Sequence, residues 1–390
     1  MKRLIALLLA LTMALGIAGA FAEDTIKIGI IVPFTGTMSL YGECMFKGAT
    51  MAVDEINANG GLLGKQVELI KYDNQNDETE SRNGFNWLIK QDVELIIGPL
   101  SSGTTKAIVD MANDEEIVLL TCTATNDALD EEDNYVFRCC YKDSFQGTIG
   151  AAFCYLNGYK KVGAIYCAAD TYSKGLYDSF AAGCEKYGIE IVETASTASF
   201  DSMDVTNQFT AMIEKGAELV YTPYYYNTIG PLVVPQARSA GYTGVILGAD
   251  GFDGVPDYVV PGADLDIYNN VYWNNHFDPN ADSDIVRSFV SKYQALYNNE
   301  TPNALSVLPY DAVYMFATAI NNAGAADAES VREAMADTSA VYELVTGTFT
   351  LNEDGSPNKG ATMFEFYHDT ENDRVDFRAI SVIDELPEVK

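Results

Sequence analysis

From residue 26 onward, short apolar, β-branched runs alternate with longer stretches in which apolar positions return every three or four residues. The runs IKIGIIV (26–32), VELIKYD (67–73), VELIIGP (93–99) and IVLLT (117–121) read as strands. Between the first two, Met45, Ala49, Ala52, Val53 and Ile56 share one helical face, and Gly60 is placed to stop the helix. A second series starts at KVGAIYC (161–167) and runs through IEIVETA (189–195), AELVYTP (217–223) and GVILGAD (244–250). Strand, helix, strand repeated in this way predicts an α/β fold, and two series predict two doubly wound parallel-sheet lobes. Farther on, SDIVRSFVSKYQALYNN and ALSVLPYDAVYMFATAINNAG are amphipathic helices, while TFTLNEDGSPNKGATMFEFYHD predicts strands around a Gly-rich turn. The chain is expected to recross between lobes here. Residues 23–143 plus about 275–350 would form one lobe, and 144–274 plus about 351–390 the other.

Composition fits two ordinary cores: 48% of the 390 residues are hydrophobic and 21% charged. The first 22 residues differ. They carry Lys2 and Arg3, an apolar run and a closing Ala20-Phe21-Ala22, the layout of a cleavable secretory signal. No cysteine near that point can accept a lipid, and no later segment has the roughly 18 apolar residues of a spanning helix. An exported protein, periplasmic or extracellular, is expected. Losing Lys2 and Arg3 moves the formal net charge from −32 to −34, a field that repels nucleic acid and anionic membrane. The cysteines, Cys44, Cys122, Cys139, Cys140, Cys154, Cys167 and Cys184, are odd in number and lack metal-type spacing. They read as small core hydrophobes with at least one unpaired thiol, not as a disulfide framework.

In open α/β sheets, ligands bind beyond the carboxyl ends of the strands. The loops there are PFTGTMSLYGE, GPLSSGTT, TCTATND, CAADTYSKG, PYYYNTIG and GADGF. GPLSSGTT runs from strand to helix, so Ser102, Gly103 and Thr104 expose N–H groups at a helix N-terminus, although Ser and Thr also serve there as plain caps. With TCTATND beside it, one carboxylate can sit between Ser102, Thr125 and the N–H of Thr123. Phosphate fits less well, because neither loop offers a phosphate-binding Lys or Arg motif. Asp250 ends an apolar strand and can act as a turn former or as the counter-charge of an ammonium group. The faces of Tyr225, Tyr41 and Tyr172 can cover such a cation. A carboxylate site opposite an ammonium site describes an amino acid.

Other chemistries are poorly served. The two histidines, His276 and His368, are expected to lie away from the strand-end loops of this series, and G-x-S-x-G is absent. The spacing of GIIVPFTGTMSLYG is not that of a dinucleotide fingerprint. DPNADSD (278–284) has Ser283 where a calcium loop needs Gly and Phe289 where it needs Glu, and reads as a solvated helix start. No enzyme activity, metal or cofactor is expected.

IKIGIIVPFTGTMSLYGECMFKGATMAVDEINANGGLLGKQVELIKYDNQND, ELIIGPLSSGTT and DTYSKGLYDSFAAGCEKYGIEIV together resemble the branched-chain amino-acid-binding proteins of bacterial ABC transporters. The likeness runs over nearly all of the chain beyond the leader, in the same order. It implies two lobes of the type I periplasmic-binding fold closing on a small amino acid, a membrane permease as partner, and a monomer in solution. It also implies a ligand carboxylate at Ser102, Thr123 and Thr125, an ammonium partner at Asp250, and pocket walls at Tyr41, Tyr172 and Tyr225. The family usually has Glu at Asp250, so the charge is drawn back by about 1.5 Å. The PYYYN loop is more aromatic than usual, and Tyr224 or Tyr226 can take the place of Tyr225 by one step of register. The resemblance leaves room for a ligand-sensing receptor component, and for a small amide or other carboxylate as ligand.

Overall fold

The computed structural model describes residues 25–130, 134–200, 203–383 and 385–389; the apolar leader at 1–22 lies outside them. The first lobe begins with β1 (Ile26–Val32), α1 (Ser39–Ala58), β2 (Val67–Asp73), α2 (Glu78–Ile89) and β3 (Leu95–Ile97). It continues with α3 (Ser102–Asp114), β4 (Val118–Thr121) and β5 (Val136–Arg138). Its sheet has the order β2-β1-β3-β4-β5, with every pairing parallel. The run in β1 is apolar on both faces because both are covered. Ile28, Ile30 and Val32 join the cluster containing Met45, Ala49 and Ala52 of α1, while Ile31 packs with Phe85 and Leu88 of α2.

The second lobe repeats the plan. After α4 (Asp143–Leu156) come β6 (Lys161–Cys167), α5 (Thr171–Tyr187), β7 (Glu190–Thr197), α6 (Thr206–Lys215) and β8 (Leu219–Tyr221). A short helical run, π-helical over Ile229–Val233, leads into α7 (Val234–Ser239), β9 (Val245–Leu247) and β10 (Val271–Asn275). The order β7-β6-β8-β9-β10 is the first lobe's order again, and these pairings are parallel.

The C-terminal part divides between the lobes. α8 (Asp284–Leu296), α9 (Ala304–Ala323) and α10 (Ala328–Ala336) belong with the first, where α9 lies along α1. Gly48 permits that approach, since a Cβ there would stand 1.8 Å from the Ser306 carbonyl oxygen. The Gly-rich turn at 353–360 does not close a hairpin. β12 (Gly347–Phe349) pairs with β11 (Tyr342–Leu344), whereas β13 (Ala361–Asp369) crosses to the second lobe. There β13 and β14 (Arg374–Ile383) extend the parallel sheet antiparallel beyond β10. Asp282 and Asp284 of the acidic DPNADSD stretch pair with Arg287, so the run does open a helix.

Where the chain leaves β5 for α4, Arg138 is fully buried against Asp130, with Nε 2.8 Å from Oδ2, and donates from Nη2 to the Asn126 carbonyl at 2.8 Å. All seven cysteines are buried free thiols. No described helix is long and apolar enough to cross a membrane.

Candidate functional site

Both lobes aim the carboxyl ends of their parallel strands at one cleft. From the first come Tyr41, one turn into α1 after β1, then Leu100 to Ser102 after β3 and Thr123 after β4. From the second come Tyr172 after β6, Tyr225 after β8, Asp250 after β9 and His276 after β10. These residues, with Leu305 and Leu308 at the start of α9, line one cavity of about 30 Å³, measured as space for the centre of a water-sized sphere. Tyr225 separates it from an outer chamber of about 510 Å³ by the same measure, lined by Asn76, Asp170 and Asn227 among others.

The lobes are in contact across the cleft. Tyr41 Oη lies 2.6 Å from the Asp253 carbonyl oxygen and 3.0 Å from that of Gly251. Asn126 Nδ2 donates to the Thr171 carbonyl at 3.2 Å, and Asn227 Nδ2 to that of Thr37 at 3.2 Å. These contacts leave the cleft closed in this structure.

Each end of the cavity has its own chemistry. At the first-lobe end, Ser102 opens α3, and its Oγ accepts from the Asn126 N–H at 3.3 Å, which leaves the hydroxyl proton to donate. Thr123 donates its hydroxyl to the Leu100 carbonyl at 2.8 Å. Its hydroxyl proton is thereby committed, and its backbone N–H is the remaining donor. Thr125 departs from expectation: it does not line the cavity. Two residues past Thr123 the chain has turned inward, so the Thr125 carbonyl accepts from the Asp143 N–H at 2.8 Å and the side chain is fully buried.

At the second-lobe end, Asp250 Oδ1 accepts from Tyr172 Oη at 2.7 Å, and the same Oη accepts from the Gly251 N–H at 2.8 Å. The single phenolic proton is therefore directed at the carboxylate. Gly251 is required here, because a Cβ would stand 2.7 Å from both Tyr172 Oη and the Tyr224 carbonyl oxygen. Gln146 Oε1 accepts from the Asp250 N–H at 3.3 Å. Nearby, burial pushes the Asp143 carboxyl well above its usual range, and the charge of Asp250 adds to the effect.

The crowded tyrosines after β8 sort themselves by direction. Tyr224 turns back, with its Oη 3.0 Å from Thr197 Oγ1. Tyr226 packs on Tyr41, ring centroids 4.2 Å apart. Tyr225 takes the cavity wall, stacked on Tyr172 at 5.0 Å and 19°. Of the three, only Tyr225 lines the cavity.

The model of the periplasmic binding protein family matches residues 25–371. The chain belongs to this family. It is 28% identical over 369 residues to the leucine-, isoleucine-, valine-, threonine- and alanine-binding protein of Pseudomonas aeruginosa, covering 91% of this chain and 95% of that one. Among solved structures it resembles the branched-chain amino acid transporter substrate-binding protein LivJ of Streptococcus pneumoniae in complex with isoleucine. The TM-score is 0.80 and the identity 32%, over 92% of this chain and 99% of the other. The leucine-binding protein LivK of Thermotoga maritima matches at TM-score 0.81 and 28% identity, over 92% and 99% of the two chains.

The cavity of this family member has a wall residue that the sequence did not reveal. His276 was expected to lie away from the strand-end loops of the series read from the sequence. It instead follows β10, a parallel member of the second sheet, and its Nε2 stands 3.2 Å from Asp250 Oδ2. Its ring stacks on Tyr141 with centroids 3.6 Å apart. Burial holds the imidazole down to about 4, against the opposing pull of Asp250, so it is neutral at pH 7. A neutral ring that faces a carboxylate carries its proton on Nε2. Leu100, Leu305 and Leu308 were also missed as the apolar wall of the cavity. The sequence signal for His276 was weak, because polar Asn274 and Asn275 stand between it and the apolar run Val271-Tyr272-Trp273.

Proposed function

We propose that this chain is an extracytoplasmic substrate-binding protein that captures a small aliphatic α-amino acid between its lobes and presents it to an ABC transporter permease. One observation carries the reading: a single cavity joins hydroxyl and helix-N-terminal donors at Ser101 and Ser102 to the acceptor Asp250, with Leu100, Leu305 and Leu308 beside them. The carboxylate faces Ser102 and the Thr123 N–H, at the positive end of the α3 dipole. The ammonium faces Asp250, under the paired rings of Tyr172 and Tyr225. A branched aliphatic side chain lies against the leucines. The carboxylate end belongs to the first lobe and the ammonium end to the second, so the full set of contacts exists only in the closed form. The ligands that the relatives' names give, leucine, isoleucine and valine among them, support the same choice. The protein acts as an exported monomer and returns its ligand unchanged.

The test is thermal unfolding of the chain without its leader against the common L-amino acids, small amides and dicarboxylates, followed by calorimetry and recovery of the ligand. Binding to the native state alone at about 100 times Kd adds about 2.7 kcal/mol. A rise with leucine, isoleucine or valine is expected. No rise with any α-amino acid, or chemical turnover of a bound one, would overturn the reading.

A further inference from the structure

The short side chain of Asp250 raises a problem of reach. It must meet an ammonium in the cavity, yet it is held from behind by its own backbone N–H on Gln146 and from one side by Tyr172 Oη. A carboxylate pinned at one oxygen still pivots about that bond. The second oxygen is met by His276 Nε2 at 3.2 Å, and the imidazole is itself fixed, with a nearly buried side chain stacked on Tyr141. Asn275, the residue before it, donates to Asp253 Oδ2 at 2.8 Å, which secures the backbone at the end of β10.

We propose that His276 is a positioning residue of the ligand site: as a neutral Nε2–H donor it fixes the plane of the Asp250 carboxylate so that the remaining lone pairs face the ammonium of a bound α-amino acid. The inference rests on the amino-acid reading of the site and goes beyond it. A carboxylate has about four lone-pair positions. Tyr172 takes one on Oδ1 and His276 one on Oδ2, which leaves one on each oxygen for two ammonium N–H groups. A protonated imidazole would act differently, competing with the ligand as the cation beside Asp250. The groups around the ring bear on that state. Asp250 favours the charged form, whereas burial and the Lys359 ammonium oppose it. His276 therefore works as a dipole, leaving the negative charge of Asp250 for the ligand.

Two experiments test this. The chain contains only two histidines, so a spectrum of protein labelled with 15N at histidine resolves each ring. At pH 7, one imidazole should show the neutral Nε2–H tautomer and keep it down to about pH 5, while His368, raised by its hydrogen bond to Asp266, titrates higher. An Nδ1–H tautomer, or a charged ring at pH 7, overturns the proposal without any ligand being added. The second experiment is calorimetry with the tightest binder among L-leucine, L-isoleucine, L-valine, L-alanine and L-threonine. His276→Phe keeps the stack on Tyr141 and removes the donor; His276→Gln restores an N–H at similar reach. Loss of one hydrogen bond to a charged group should weaken binding by about 10- to 100-fold in His276→Phe, with most of that recovered in His276→Gln. Equal or tighter binding by His276→Phe overturns the proposal while the amino-acid reading stands. Failure of the unaltered protein to bind any of the five overturns both.

Discussion

Tyr41 offers the sharpest test of the closing mechanism. Its hydroxyl belongs to α1 of the first lobe and meets two carbonyls of the second, Asp253 O at 2.6 Å and Gly251 O at 3.0 Å. Tyr41→Phe keeps the ring against Tyr226 and deletes only the donor. A typical hydrogen bond contributes about 1 kcal/mol net, and a buried acceptor left without a partner costs about 1–3 kcal/mol. When the lobes part, water replaces the hydroxyl at both carbonyls. The loss therefore falls on the closed form alone. A penalty of about 1–3 kcal/mol shifts the closing equilibrium by about 5- to 150-fold. Where the open form dominates the free protein, apparent affinity weakens by the same factor. Calorimetry with the amino acid that binds the unaltered protein measures that factor, and distances between spin labels on the two lobes measure closure. The expected result is weaker binding, a more open free protein and a nearly unchanged melting temperature. An unchanged Kd, or a lower melting temperature with no change in Kd, would refute the reasoning by placing the bond's effect in folding.

Three further outcomes follow from the same geometry. Asp250→Asn removes the charge proposed to face the ligand's ammonium while keeping an acceptor for Tyr172, and should cost about 2–5 kcal/mol of binding, read as a Kd at least 30-fold higher by calorimetry. Burial raises the Asp253 carboxyl from 3.8 to about 6, so the folded state holds its proton more tightly than the unfolded one. Its favourable contribution is complete below about pH 4 and is lost as pH rises through about 6, a loss of up to about 3 kcal/mol. Both hydrogen bonds to Asp253, from Asn275 Nδ2 and the Ala304 N–H, fall on Oδ2 and can pass to an amide oxygen. Asp253→Asn should accordingly raise the melting temperature at pH 8 and do so less at pH 5; an equal rise at both values would show that the charge is not responsible. The buried thiols should be silent to a disulfide-exchange reagent in the native protein and should all seven react in denaturant. Fewer than seven after unfolding, without reductant, would reveal disulfides.

Much of this architecture is local and could be read along the chain. β1, β2 and β6 begin and end where the apolar runs do. β3 and β9 stop short of their runs, since Gly98 and Gly248 already belong to the turns that carry the site. Because strands of a doubly wound sheet all point their carboxyl ends the same way, locating the strands also located the loops that line the cavity. Tyr41, Ser102, Thr123, Tyr172, Tyr225 and Asp250 follow from that rule. Thr125 shows its limit: past a strand end the chain has no fixed period, and Thr125 turned inward toward α4.

The sequence by itself determined the two α/β series, the acidic charge and the strand-end loops that meet at the cleft. Each of these rests on short-range periodicity or on composition. Tertiary structure alone decided which partners face one another across long separations. His276 meets Asp250 only because β10 lies beside β9, and β10 carries polar Asn274 and Asn275 that blur its apolar pattern. The direction of each tyrosine after β8 depends on what it finds there: Thr197 for Tyr224, Tyr172 for Tyr225 and Tyr41 for Tyr226. The C-terminal strands likewise parted company, β12 staying with β11 and β13 joining β10, because strand pairing is settled by which sheet edge is free and not by the turn between them. A residue's partner is a property of the packed whole, and local pattern carries no record of it.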